Sequence, residues 1–234
     1  GHILWWSVPD SSWWVQPIAS NAPVRLTNNT RVPFFDETED VPDLPSPHGI
    51  AGWLTGEKGI LVYDQYDIWL CAPETAPRRL TNGRATQTTY RYIRLDPEVL
   101  TIDPKGVILL HGFNKITKRE SYSLLNLANG TQKNWMEGAY SLTRSPMKAK
   151  SAPALVYTHQ DFATFPDLQW TTLPEFSKLE NTPMGTKRIS DVNPQQKEYA
   201  WPTIELVQWF SITGDTLSGL LVKPADFNPA KQYP

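Results

Sequence analysis

A short motif recurs along the chain at a nearly regular spacing, and this periodicity restricts the possible folds more than any other feature of the sequence. Arg-Leu-Thr-Asn occupies residues 25–28 and again 79–82, and a weaker copy, Arg-Ile-Ser-Asp, occupies 188–191. The first two copies are 54 positions apart, and the third follows after 109, about twice that distance. A degraded copy is therefore expected near position 134, where residues 131–134 read Thr-Gln-Lys-Asn. We predict a unit of about 54 residues that is repeated roughly four times.

Each unit carries several short strand signals and no helical periodicity. Runs rich in aromatic and β-branched residues are separated by turn residues, and no segment keeps a 3.6-residue apolar period. Four strands in about 50 residues is the size of one β-propeller blade, which buries its faces by stacking on neighbouring blades. A plain β-sandwich with accidental internal similarity is the alternative. Strands are predicted at residues 3–7, 13–18, 59–63, 67–72, 89–95, 107–113, 122–127, 154–158 and 168–173, and a polar loop at 185–199.

Composition agrees with an all-β chain and excludes several classes of protein. Proline accounts for 21 of the 234 residues and tryptophan for 10, which disfavours long helices and favours strands. The net charge of −2 gives no reason to expect a nucleic-acid partner. The single cysteine cannot form an internal disulfide, and no apolar run of about 18 residues is present to span a membrane.

We therefore predict an all-β fold in two parts. Residues 1–198 are expected to form part of a β-propeller, with about four blades of four-stranded antiparallel sheet, and residues 199–234 a linker and a C-terminal β-hairpin. Because the first unit begins in the middle of a blade, an arc of a larger propeller fits better than a closed ring. The sequence begins with Gly1 and not with an initiator Met, so an N-terminal segment is expected to precede it.

The C-terminal segment departs from the repeat and carries a more specific pattern. Residues 203–210 and 217–222 alternate in polarity around a Thr-Gly-Asp turn. The run Glu-Leu-Val-Gln-Trp-Phe-Ser at 205–211, followed by Leu-Ser-Gly-Leu-Leu-Val-Lys-Pro at 217–224 and Pro-Ala-Lys-Gln-Tyr-Pro at 229–234, resembles the junction between propeller and hydrolase in the prolyl oligopeptidase family of serine peptidases. The turn reads Gly-Asp where that family has Asp-Gly. The blade sequence at residues 62–69 and the Arg-Leu-Thr-Asn copies also resemble the propeller of this family, in particular its bacterial dipeptidyl-peptidase and acylaminoacyl-peptidase type.

The resemblance implies a two-domain serine peptidase in which a propeller limits access to an α/β-hydrolase domain that cleaves short peptides. The expected partners are that hydrolase domain, joined after residues 199–234, and peptide substrates; the expected location is periplasmic or secreted. The chain contains no G-x-S-x-G nucleophile elbow, so we expect these residues to gate substrate entry and to be inactive by themselves. The alternative is a stand-alone propeller-type module that binds a protein or a glycan.

The sequence context of the histidines, the cysteine and the other candidate reactive groups indicates structural roles for them. The strand that ends in His111, Gly112 and Phe113 is similar to the oxyanion loop of α/β-hydrolases, but the required serine elbow does not follow it. The four histidines, at positions 2, 48, 111 and 159, lack the spacing of a metal site. Cys71 lies in an apolar strand and is expected to be buried. No residue is assigned as catalytic, cofactor-binding or metal-binding, and no cofactor is expected.

Structural roles are also favoured for three further features of the sequence. Asp64 and Asp67 could provide acid–base chemistry or bind calcium, but stabilisation of a turn is the favoured role. The acidic run at residues 36–43 is expected to be a solvated loop between blades; the alternative is that it attracts the amino terminus of a substrate. The tryptophan doublets at 5–6 and 13–14 are expected to pack within and between blades, with a carbohydrate or peptide platform as the alternative.

Overall fold

The fold is all-β, as predicted, and consists of short strands in several small antiparallel sheets. The structure is a computed structural model that describes residues 1–28, 30–181 and 185–233. The strands are β1 His2–Ser7, β2 Ser12–Pro17, β3 Val24–Arg25, β4 Ile50–Trp53, β5 Ile60–Tyr63, β6 Ile68–Ala72, β7 Thr75–Arg79, β8 Thr88–Ile93, β9 Val107–Asn114, β10 Glu120–Asn126, β11 Gln132–Gly138, β12 Ser141–Leu142, β13 Met147–Lys148, β14 Ala154–Gln160, β15 Asp167–Thr172, β16 Lys187–Arg188, β17 Thr203–Phe210 and β18 Thr216–Lys223. The helical segments are α1 Gly83–Thr86 and the 3₁₀ turns Thr55–Glu57, Phe176–Asn181 and Pro194–Glu198.

Strands β1–β16 form four successive antiparallel sheets, each built from strands that follow one another along the chain. Sheet 1 contains β1–β3, sheet 2 contains β4–β7 and sheet 3 contains β8–β11. In sheet 4, the two-residue strands β12 and β13 both pair with β14 and together form one interrupted first strand. The sheet continues from β14 to β15 and β16. Sheet 1 has three strands in the described part of the chain, where sheets 2 and 3 have four.

The apolar cores lie between consecutive sheets, which is how propeller blades stack. The core between sheets 1 and 2 consists of Trp13, Val15, Leu26, Phe34, Ile60, Val62, Trp69 and Cys71. The core between sheets 2 and 3 consists of Leu54, Leu61, Tyr63, Ile68, Leu80, Ile102, Ile108, Leu110, Leu125 and Leu127. The core between sheets 3 and 4 consists of Ile93, Leu109, Tyr122, Leu124, Trp135, Met136, Leu142, Leu155, Tyr157 and Leu179. Within the described residues no buried cluster joins sheet 4 to sheet 1, so the four sheets form an open series.

The repeated motif has one structural role in sheets 1, 2 and 4. Its Thr or Ser follows the last strand of the sheet, and its hydroxyl oxygen accepts a hydrogen bond from the backbone N–H of the preceding strand; we call this group the latch hydroxyl. The pairs are Thr27 with Trp13 (3.0 Å), Thr81 with Ile68 (3.1 Å) and Ser190 with Leu168 (2.8 Å). The latch thus extends each strand pair by one side-chain hydrogen bond beyond the end of the ladder.

The prediction that residues 131–134 are a degraded copy of the motif is wrong. Residues 132–134 lie at the start of β11 and pair with β10, whereas each of the other copies begins at the last residue of its strand. The segment that follows β11 contains Ser141, whose hydroxyl is 3.3 Å from Glu120, and Leu142, whose N–H donates to the same carboxylate at 2.7 Å. A constant spacing of 54 misplaced the copy because the connection between β8 and β9 lengthens this unit.

The C-terminal segment forms the predicted hairpin, with β17 and β18 in continuous register from Thr203 opposite Lys223 to Phe210 opposite Thr216. Its linker is not the plain loop expected at 185–199, because β16 and the 3₁₀ turn Pro194–Glu198 interrupt it. That turn holds the linker against sheet 4, since Gln196 Oε1 accepts from the N–H of Phe165 at 3.2 Å. Pro234, the last residue of the junction motif, lies outside the described residues.

Candidate functional site

A network of charged side chains lies at the turn between β5 and β6, and Asp64 is its centre. Asp64 is completely buried. Its Oδ1 accepts from the backbone N–H groups of Tyr66 and Asp67, both at 2.6 Å, and its Oδ2 accepts from Trp69 Nε1 at 2.9 Å. The short turn folds this way because a carboxylate can satisfy the N–H groups two and three residues later. This geometry confirms the predicted turn role.

Asp67, also completely buried, links the same turn to the end of sheet 2. Its Oδ1 accepts from the latch hydroxyl of Thr81 at 2.6 Å, and its Oδ2 accepts from the backbone N–H of Arg84 at 3.1 Å. Asp167 occupies the matching position in sheet 4, where it accepts from Ser190 Oγ at 2.5 Å. Since donors occupy both oxygens of Asp67, the side chain is arranged to hold backbone and not to accept a proton from a substrate.

Arg84 connects this buried turn to the acidic loop between sheets 1 and 2. Its two terminal nitrogens lie 2.5 and 3.0 Å from the carboxylate oxygens of Glu37, and one of them lies 3.6 Å from Asp64 Oδ2. The Glu37 carboxylate raises the pKa of Arg84 above its usual value. The guanidinium also lies 5.0 Å from the centre of the Tyr66 ring. Glu37 is therefore neutralised by a bidentate pair and is not free to bind an amine.

The rest of the acidic loop remains exposed. Asp36 accepts hydrogen bonds from the N–H and hydroxyl of Thr38, which lowers the pKa of Asp36. Glu39, Asp40 and Asp43 are exposed, and no ion pair in the described part of the chain involves them. The loop joins two sheets as expected, and these three side chains are the ones that could attract a cationic group.

Arg91 and His48 complete the network. Arg91 donates to the carbonyl oxygens of Tyr90 (2.8 Å), Asp64 (3.2 Å) and Gln65 (3.4 Å), and burial lowers its pKa. Burial, and secondarily the charge of Arg91, lower the pKa of His48. His48 is thus held as a neutral imidazole near a cation. Glu37 belongs to the acidic run that the sequence analysis considered, but Arg84 and Arg91 were not singled out; the only available signal for Arg84 was its position two residues after the motif copy at 79–82.

The strand that contains His111 has no catalytic arrangement. His111 is 3% exposed and its Nε2 is 3.0 Å from Glu120 Oε2. Ser141 contacts the other oxygen of Glu120, so the carboxylate lies between the serine and the histidine; in a catalytic triad the histidine lies between the other two. A Cβ at Gly112 would collide with the Ser121 hydroxyl and the Tyr90 ring, so the glycine serves close packing of β8, β9 and β10.

The other candidate groups also have packing roles. Cys71 is completely buried, and burial raises the pKa of its thiol to about 12, which leaves it protonated and unreactive. Of the tryptophans, Trp5 stacks on Trp14 with ring centres 6.3 Å apart, and Trp6 meets Trp13 edge to face at 5.5 Å. These contacts are the cross-strand pairs of β1 and β2.

The described residues contain neither a cluster suited to a metal ion nor a helix suited to span a membrane. No group of three or more His, Cys, Asp or Glu side chains in this part of the chain is arranged to hold a metal ion. None of the helical segments described above is long and apolar enough to cross a membrane.

The fold is shared with solved structures of much longer proteins. The chain is similar to a protein described as a dipeptidyl aminopeptidase IV from Bacteroides ovatus (14% identity, TM-score 0.56, 100% of this chain and 35% of that one). It is also similar to AtxE2 isopeptidase bound to Astexin3-dC4 (11%, 0.54, 95% and 31%) and to a puromycin hydrolase (14%, 0.50, 99% and 33%). The chain thus spans about a third of the length of these proteins, and likeness at such identities shows the fold alone. No protein-family model and no curated protein sequence matches the chain.

Proposed function

We propose that this chain is the propeller portion of a serine peptidase of the prolyl oligopeptidase type. In this proposal residues 1–198 restrict entry to an α/β-hydrolase domain that cleaves short peptides, and residues 199–234 join the two domains. The chain supplies the gate, and the hydrolase domain supplies the catalytic serine.

The observation that carries this proposal is the apolar exposure of the terminal hairpin. Phe210 is 76% exposed, Ile212 is fully exposed and Leu220 is 65% exposed, although they lie in a well-paired hairpin. An exposed apolar patch of this kind marks a surface that another protein surface covers. The hairpin also carries the sequence pattern that resembles the propeller-to-hydrolase junction. The exposed apolar surface and the resemblance therefore involve the same segment of the chain.

The solved structures add independent support for a peptidase or amide hydrolase. The three proteins reported above are described as an aminopeptidase, an isopeptidase and a puromycin hydrolase, and each is about three times as long as this chain. Two of these names describe peptidases, and the third describes a hydrolase. The alternative, a stand-alone binding module, predicts no catalytic domain in the natural protein.

The test uses the full natural protein that contains this sequence. We expect a fluorophosphonate probe to label one serine outside residues 1–234, and a competing dipeptide to slow the labelling. The protein should cleave short peptide p-nitroanilides and leave unfolded casein intact, because the propeller admits only short chains. Absence of any labelled serine would refute the peptidase and favour the binding module.

A second measurement tests the role of the hairpin. Leu220→Asp places a charge on the proposed domain contact, and we expect it to lower peptidase activity of the full protein at least tenfold. Leu100→Asp, at another exposed leucine in the loop between β8 and β9, is the matched control and should retain activity. Equal activity of the two variants would contradict the proposed junction.

A further inference from the structure

A cavity of about 320 Å³ lies at one end of the interface between sheets 2 and 3. Its apolar walls are leucines of the core between these sheets or next to it. They are Leu54, Leu61, Leu70, Leu80 and Leu127. Both sheets contribute, so the cavity is a gap where the two blades diverge. Its volume is at the lower end of the range for small-molecule sites.

Three cationic side chains from separate elements line the same cavity. Lys58 precedes β5, Arg78 lies on the outer strand β7, and Lys105 lies in the turn before β9. None of the ten lining residues is acidic, and no ion pair joins these three cations to an acid in the described part of the chain. Three like charges around an apolar cavity repel one another, and an anion placed between them would relieve that repulsion.

The position of Arg78 favours a carboxylate as that anion. A Cβ on Gly130, which has φ of +75°, would lie 3.4 Å from Arg78 Nη1, so the guanidinium lies against the turn between β10 and β11. A planar guanidinium can bind both oxygens of a carboxylate. The leucine walls match an unbranched apolar chain and offer no hydrogen-bond partner for a polar one.

We propose that this cavity binds a straight-chain alkyl carboxylate of medium length. Its tail lies on the leucines between sheets 2 and 3, and its carboxylate meets Arg78, Lys58 and Lys105. A ligand held there joins two adjacent blades, so its binding is expected to stabilise the chain against unfolding. The proposal does not depend on the peptidase function.

Isothermal titration calorimetry of this chain with hexanoate, octanoate and decanoate, each below its micellar concentration, tests the proposal. We expect saturable binding at one site, with affinity rising about fourfold for each added methylene. Octyltrimethylammonium, with a cationic head on a tail of the same length, should bind at least tenfold more weakly than octanoate. Equal binding of the two heads, or no binding of either, would overturn the proposal.

Three variants locate the site. Arg78→Gln should weaken octanoate binding about tenfold, since a hydrogen bond to a charged group is lost. Ala128→Leu adds volume at a lining residue and should weaken decanoate more than hexanoate. Lys187→Gln removes one exposed positive charge in sheet 4, away from the cavity, and should leave binding unchanged. Unchanged affinity in Arg78→Gln and Ala128→Leu would place the ligand elsewhere, such as on the exposed hairpin, and would refute the assignment.

Discussion

At the scale of single residues, the buried aspartates of the turn between β5 and β6 accept hydrogen bonds mainly from backbone N–H groups. Asp64 and Asp67 accept from four backbone N–H groups and from two side chains, so that their charges are stabilised without reaching solvent. The sequence indicated the turn role of this pair correctly from their spacing. It did not reveal that Arg84 would join Asp64 to Glu37, because 47 residues separate Glu37 from Arg84 and no local pattern links them.

The neutral state of His48 leads to a pH prediction. Its pKa is lowered in the folded chain, mainly by burial and also by Arg91, while Asp36, Gln65 and Asp64 act in the opposite direction. As the pH falls through about 6.5, the unfolded chain therefore takes up a proton before the folded chain does, and the free energy of unfolding decreases. We expect this decrease to be smaller in His48→Gln than in the natural chain.

Urea unfolding of both chains at pH 8.0, 6.5 and 5.0 measures this difference. The comparison at pH 8.0 is the control, since His48 is neutral in both states there and the substitution acts only through packing. If the two chains lose the same free energy of unfolding between pH 8.0 and pH 5.0, His48 does not titrate as the structure indicates.

At the scale of elements, the repeated motif ends the last strand pair of sheets 1, 2 and 4 with a latch hydroxyl. Its recurrence was visible in the sequence, and it predicted the sheets because Thr or Ser recurs where a backbone N–H has no strand partner. The copy in sheet 3 was placed wrongly because the long connection between β8 and β9 shifts its position. It also has no Arg-Leu-Thr-Asn sequence to mark it, since Glu120 and Ser141 stand where sheet 2 has Asp67 and Thr81. Similarly, β16 is a two-residue strand within a polar segment, too short to show alternation.

The latch predicts unequal effects of equivalent substitutions. Thr81→Val keeps the shape but removes the acceptor for the Ile68 N–H and the donor to Asp67, and we expect it to cost about 2 kcal/mol of unfolding free energy. Thr27→Val removes only the acceptor for the Trp13 N–H and should cost about 1 kcal/mol. Chemical denaturation measures both values, and Thr81→Ser, which keeps the hydroxyl, is the control. A Thr81→Val variant as stable as Thr81→Ser would show that the latch contributes nothing.

At the scale of the whole molecule, the sheets and the terminal hairpin differ in how they are stabilised. Each sheet is buried against a neighbour, as the three cores show, whereas the hairpin relies on its own ladder and exposes its large apolar side chains. The alternating pattern of the hairpin was readable in the sequence. The exposure of both its faces was not, because alternation implies one covered face and says nothing about what covers it.

This contrast predicts how hairpin variants behave. The double substitution of Phe210→Ser with Leu220→Ser should change the unfolding free energy of this chain by less than about 0.5 kcal/mol, because neither side chain is buried. It should also reduce self-association, as measured by sedimentation velocity at increasing concentration. Leu125→Ala, a completely buried core position, is the contrasting variant and should cost about 2–5 kcal/mol. A large loss of stability in the double variant would mean that the hairpin packs on the sheets.

Because the cores lie between consecutive sheets, they also determine the order in which the sheets unfold. Among the described residues, sheets 2 and 3 each share a core with two neighbours and sheets 1 and 4 each share a core with one, so the series behaves as a one-dimensional array with weaker ends. Local unfolding should begin at an outer sheet and proceed to the inner ones. In hydrogen exchange, the amide protons of β5, β6, β9 and β10 should therefore exchange last. An additional blade stacked at either end would gain one interface and would strengthen every sheet inside it.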